Sequence, residues 1–184
     1  MIEKNKLAMG LFIASEAIFF ALLILAYVYF ERSAAGGPSA SNSLHPSRTA
    51  AYTVALLGSS FTLWRAERSR GRGSQRGLFG WLLATIGLGA VFLFGQGREY
   101  AQLLREHVTI SSNLFGTTFF TLTGFHGLHV LIGLVALAIL LGLALAGDFK
   151  DPEAPGVGAV GLYWHFVDAV WIVIFTVVYV GTLV

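Results

Sequence analysis

The chain is predicted to be an all-α integral membrane bundle of five transmembrane helices. Three observations predict it. Only 12% of its 184 residues are charged, about half the roughly 25% of an ordinary soluble domain, and its mean hydropathy is +0.72. Five apolar runs come near or exceed the length of about 20 residues that a spanning helix needs. The ionisable residues inside those runs are few and occur in spaced pairs, as contacts between helices require. The whole chain, 1–184, reads as one helical domain.

The first span runs from Leu7 to Phe30. Its apolar stretch is too long for a cleaved leader, it contains Glu16, and no small-residue cleavage site follows. The second, Arg48 to Trp64, is the weakest, diluted by Thr53, Ser59, Ser60 and Thr62. The third covers Leu78 to Gly97, with Gly87 and Gly89 as close-packing positions. The fourth, Leu114 to Ala146, exceeds a bilayer's thickness and must tilt or project. The fifth is Gly161 to Val184. Ala34 to Ser47 reads as a flexible polar connection, Arg65 to Gly77 as a solvated basic turn, and Gly147 to Gly161 as a loop in which Pro152 and Pro155 stop the fourth helix.

Lys and Arg set the orientation, because short cytoplasmic loops collect them. Placing the Arg65 to Gly77 turn inside puts Arg65, Arg68, Arg70, Arg72, Arg76, Lys4, Lys6 and Lys150 inside and leaves Arg32, Arg48, Arg98 and Arg105 outside. The N-terminus is then inside and the C-terminus outside. Trp64, Trp81 and Trp164 fall at the inner interface; Tyr29, Tyr52, Tyr100 and Tyr179 fall near the outer one. Basic residues confined to membrane-flanking loops argue against nucleic-acid binding. With no cysteine, disulfides, thiolate metal sites and a Cys nucleophile are excluded. No nucleophile triad or Gly-rich phosphate loop is present.

Two segments hold the most chemistry, GFHGLHV (Gly124 to Val130) and YWHFVDAVW (Tyr163 to Trp171). His126 and His129, and likewise His165 and Asp168, stand three residues apart and so lie on adjoining positions of a helix surface. At ~1.5 Å per residue from the inner end, Glu16 lies about 14 Å deep, with His165 and Asp168 about 6 and 10 Å deep. His126 and His129 enter from outside, about 18 and 22 Å down the fourth helix. All five are thus placed between the inner surface and the middle of the bilayer, and one shared polar layer is the expectation. Hydrogen bonding between helices is the plain reading of that layer. A metal site is chemically open to these side chains, but His-x-x-His on a helix is a weak signal. Carboxylate and imidazole together also suit proton transfer. Glu16 reads as a carboxyl bonded locally, with Ser15 the nearest partner, or as a lipid, ligand or proton site. Arg98 and Glu99 read as an interfacial ion pair at the outer end of the third helix.

Several motifs in order carry a family resemblance: SEAIFF (Ser15 to Phe20), the series Thr53, Leu56, Leu57, Ser59, Ser60, Thr62, then Gln96, Glu99 and Tyr100, TIS (Thr109 to Ser111), TGFHGLHVLIG (Thr123 to Gly133) and YWHFVDAVW. The chain resembles subunit III of the haem–copper cytochrome c and quinol oxidases along nearly its whole length. Two departures are visible: the long form of the family has seven helices, and the acidic residue that commonly follows Thr-Ile-Ser is here Ser112, then Asn113. The resemblance implies a five-helix prokaryotic form in the bacterial plasma membrane, with the lipid-holding cleft of the long form incomplete. It implies a non-catalytic subunit with no cofactor or metal of its own, haem and copper being held by partner subunits I and II. It further implies roles in stabilising the catalytic subunit, sustaining proton uptake and binding phospholipids, within an enzyme that reduces oxygen and pumps protons. Glu16 matches the family's intramembrane glutamate, for which lipid, oxygen-path and proton roles have been proposed. An accessory subunit of a nitric oxide reductase, and a stand-alone small transporter or proton channel, remain as alternatives.

Overall fold

The computed structural model describes residues 2–33, 46–111, 114–146 and 157–181, with side chains for all of these but 2–6 and 32–33. It consists of α1 (Ile2–Ser33), α2 (Pro46–Gly71), α3 (Gln75–Arg105), α4 (Leu114–Ala146) and α5 (Val157–Phe175), the last continued by a π-helical turn, Thr176–Val180. The connections 34–45 and 147–156, the positions of Ser112 and Asn113, and the side chains of Lys4, Lys6, Arg32 and Lys150 lie outside the described residues.

Each helix has a local cause. Pro46 opens α2 at the one helical position where a missing N–H costs nothing. The basic segment read as a turn is mostly helix instead, because α2 runs on to Gly71. A Schellman cap then closes it: Ser74 N–H donates to Ser69 O (3.0 Å) and Gly73 N–H to Arg70 O (2.8 Å), with Gly73 at φ +69°. Ser74 caps the next helix at once, accepting from Gly77 N. The far end of α3 repeats the device without glycine. Val108 N–H donates to Leu103 O (2.9 Å) and His107 N–H to Leu104 O (3.2 Å), and His107 takes φ +60°. Burial of Val108 against the core supplies the apolar contact that accompanies this cap.

Packing follows from which faces are apolar, small or hydroxylated. α2 and α3 form an antiparallel hairpin; α4 packs on α1, α3 and α5; α5 packs on α1, α2 and α4. α5 is the most enclosed of the four strongly apolar helices and α1 the least. Among the described residues four helices are long and apolar enough to cross a membrane; α2 falls short of that standard. Its inward face explains why, since Thr49, Thr53, Ser59 and Thr62 are buried there beside Leu56, Leu63 and Ala66.

Trp164 is the centre of the bundle. It was expected at the inner interface, yet its side chain is wholly enclosed. Its indole slides between two glycines: a Cβ on Gly89 of α3 would meet Trp164 Cη2 at 2.8 Å, and one on Gly133 of α4 would meet Cε3 at 2.7 Å. Gly87, expected to serve the same purpose, faces open space.

Candidate functional site

The polar side chains of the interior form separate hydrogen-bonded clusters. The first joins α1 to α4. Glu16 Oε2 lies 3.0 Å from His129 Nε2, while Ser15, its expected neighbour in hydrogen bonding, donates to Phe12 O. His129 Nδ1 is 2.7 Å from Phe125 O. A carbonyl can only accept, so Nδ1 carries a proton. The Nε2–Oε2 contact then needs a proton of its own, held either by an imidazolium or by a carboxylic acid. The pair is therefore built around one shared proton. Tyr163 of α5 donates to His129 O (3.1 Å), and Phe20 meets the His129 ring edge-on at 4.9 Å. A small apolar cavity of about 240 Å³ lies alongside, lined by residues that include Phe12, His129 and Tyr163.

The second cluster joins α2 to α5. Ser60 donates to Asp168 Oδ2 and lies 3.0 Å from His165 Nδ1. An ionised Asp168 can only accept, so Ser60 spends its proton there and must receive one from His165 Nδ1–H. The serine thus wires the half-buried imidazole to a carboxylate that is 3% exposed. Asp168 Oδ1 has no partner among the described residues. Above and below, two indoles of α5 donate to hydroxyls of α2: Trp164 Nε1 to Ser59 Oγ and Trp171 Nε1 to Thr53 Oγ1, each 2.9 Å.

His126 belongs to neither cluster. It is fully buried, stacked on Trp171 at 4.8 Å, with Phe92 and Phe20 edge-on. Neither ring nitrogen finds a hydrogen-bond partner among the described residues. Three residues along a helix is a rotation of about 300°, enough to turn His129 toward α1 and His126 toward α5. Aromatic rings therefore separate the two polar clusters. Among the described residues no three His, Asp or Glu side chains converge as a metal site would require.

Arg98 and Glu99 do not form the expected ion pair with each other. The Arg98 guanidinium sits over the Phe94 ring at 5.7 Å. Glu99 accepts from Thr49 Oγ1 (2.9 Å) and Tyr179 Oη (2.7 Å), tying α3 to α2 and to the π-helical turn. Nearby, Gln96 donates to Thr123 O (2.6 Å) and Tyr100 Oη contacts Thr123 Oγ1 (2.7 Å). At the opposite end of α2, burial pushes the Glu67 carboxyl above its ordinary range, partly offset by Arg70. Sequence reasoning had not joined Ser60 to His165 and Asp168, nor Tyr179 to Glu99. Those links cross 80 residues or more.

Fold and site together define a multi-pass helical membrane protein in which most of the buried polar clusters join one helix to another. Comparison with known proteins makes this specific: the family model for cytochrome c oxidase subunit III matches residues 2–182. A "probable cytochrome c oxidase subunit 3" of Mycobacterium leprae is 38% identical over 179 residues, covering 96% of this chain and 89% of the relative. A cytochrome c oxidase subunit 3 of Corynebacterium diphtheriae is 35% identical over 182 residues, with the same coverage of 96% and 89%. One from Synechocystis is 36% identical over 168 residues, 91% of this chain and 71% of the relative. The chain belongs to the cytochrome c oxidase subunit III family.

Proposed function

We propose that the chain serves as subunit III of a haem–copper terminal oxidase in a bacterial plasma membrane, with its N-terminus on the inner side. The single observation that carries this reading is the match to the subunit III family from residue 2 to residue 182. It leaves little room for the nitric oxide reductase or transporter alternatives. The chain holds no redox centre in this reading. Haem and copper belong to subunits I and II, against which the exposed apolar faces of the bundle pack. The relatives' names support cytochrome c as the electron donor of the assembly.

Within the oxidase the polar clusters stabilise the bundle against the catalytic subunit and supply proton-holding groups on the uptake side. The shared proton of Glu16 and His129 and the Ser60-bridged pair of His165 and Asp168 support that role. Purification of the native assembly tests it. Haem absorbance with a haem–copper subunit in fixed ratio is expected, and a haem-free oligomer of this chain alone would overturn the assignment. Glu16→Gln is expected to leave the haem spectrum unchanged, and its loss would contradict a subunit without cofactors.

A further inference from the structure

His165 has one ring nitrogen left over. Its Nδ1 lies 3.0 Å from Ser60 Oγ, which in turn donates to Asp168 Oδ2. Nε2 neither bonds to a described residue nor is enclosed by the fold. With the ring neutral and its proton committed to Ser60, Nε2 presents a bare lone pair that can only accept. The other two imidazoles within the spans differ: His129 uses both nitrogens inside the chain, and His126 is wholly enclosed. From Val157, where α5 begins, to His165 is about 12 Å of helix, and Ser60 lies near the middle of α2. At that depth a bilayer offers acyl chains, which carry no donor, and polar side chains there almost always face protein. The surroundings of the ring are apolar. Leu57 and Trp64 stand one turn to either side of Ser60, Leu162 and Ala169 one turn to either side of His165, and all four are exposed.

We infer that the face formed here by α2 and α5 is where a transmembrane helix of the haem–copper subunit docks, with an O–H or N–H donor of that helix seated on His165 Nε2. The identity of the partner rests on the subunit III role proposed above; the surface and the bond are read from this chain. Hydrogen bonds between helices are among the forces that hold them together in lipid. This one has a fixed direction, because Asp168, acting through Ser60, sets which nitrogen of the ring carries the proton. Leu57, Trp64, Leu162 and Ala169 around a single acceptor also have the anatomy of a contact centre, in which apolar neighbours keep water from a polar anchor.

Two near-isosteres of histidine separate docking from internal support. Asparagine places an N–H donor where Nδ1–H stands, and so keeps the bond to Ser60, but has nothing at the Nε2 position. Glutamine places its amide oxygen at the Nε2 position and gives up the bond to Ser60. The readout is the amount of haem–copper subunit retained per copy of this chain when the whole assembly is purified at rising detergent concentration. His165→Asn is expected to lower retention about three- to tenfold, and His165→Gln to keep most of it. A purely internal role requires the reverse order. Photo-crosslinking from p-benzoylphenylalanine in place of Leu57 or Leu162 is expected to join this chain to the haem–copper subunit. Equal retention in the two variants, lower retention with glutamine, or crosslinks confined to lipid or to a second copy of this chain would each overturn the inference. If the wild-type chain still co-purifies with haem in that event, the oxidase assignment stands and the docking face alone falls. A haem-free wild-type preparation overturns the assignment itself, and with it the named partner.

Discussion

Trp164 lies flat against the backbone of Gly133, so close that a single added methyl group on the glycine would stand 2.7 Å from the indole. The same ring reaches Gly89 on α3 and donates to Ser59 on α2. One side chain therefore sets the spacing of four helices. In a membrane, where lipid gives no hydrophobic drive for helices to associate, such close packing is a main source of cohesion. Gly133→Ala and Gly89→Ala are expected to destabilise the bundle by about 1–3 kcal/mol each. Gly87→Ala, two residues away on the open side, is expected to be neutral. Thermal unfolding in detergent followed by circular dichroism distinguishes them, and equal effects at positions 87 and 89 would refute the wedge.

Ser60 is the link between His165 and Asp168, and its removal isolates both. Ser60→Ala is expected to cost about 1–3 kcal/mol, because a buried carboxylate loses its hydrogen bond to the protein. Asp168→Asn in the Ser60→Ala background is expected to cost much less than in the wild type. A double-mutant cycle on unfolding free energies reads this coupling directly, and additive losses would mean that the serine bridge carries no weight.

His107 occupies a left-handed backbone position that glycine fills without strain. The strain of a side chain there is about 1–2 kcal/mol, partly offset by the freedom that glycine restores to the unfolded chain. His107→Gly is accordingly expected to raise the melting temperature slightly or leave it unchanged, and His107→Val to lower it. A fall with glycine comparable to that with valine would show that the imidazole itself is needed at the α3 cap.

Glu67 gives a pH dependence with a definite sign. Its carboxyl is shifted upward in the folded chain by burial, with Arg70 opposing. The folded state therefore holds the proton more tightly than the unfolded state. Its favourable contribution is complete below the unfolded carboxylate pKa and declines as pH rises through the folded one. Glu67→Gln is expected to flatten the stability profile on that rising side. A profile unchanged between wild type and variant would place the carboxyl in solvent.

Much of the architecture was legible because lipid imposes simple rules. The spans of α1, α3, α4 and α5 followed from apolar length, and the weakness of α2 from its hydroxyl residues. What remained hidden depended on rotation about helix axes and on tertiary register. His126 and His129 looked like a pair, yet three residues of rotation send them to different neighbours. The Arg65 to Gly77 segment looked like a loop, because its arginines and glycines obscured a helix that runs through Gly71 to a Schellman cap. Tyr179 reaches Glu99 from a π-helical turn, closed by Gly181 N–H to Thr176 O at 2.9 Å. No hydropathy pattern announces such a turn.

The row of hydroxyls along α2 bears on how the protein is made. A helix carrying Thr49, Thr53, Ser59, Ser60 and Thr62 is a poor guest in lipid while it stands alone. Its tight turn to α3 lets the two enter the bilayer as a hairpin, with Thr62 already meeting Thr85 at 2.8 Å. Ser59 and Thr53 donate meanwhile to Leu56 O and Thr49 O of their own helix, and the indoles that bond to them from another helix belong to α5, synthesised after α2, α3 and α4. Order of synthesis becomes order of concealment. A chain halted before Tyr163 is expected to leave α2 open to the membrane's proteases, whereas one that includes Trp171 escapes them.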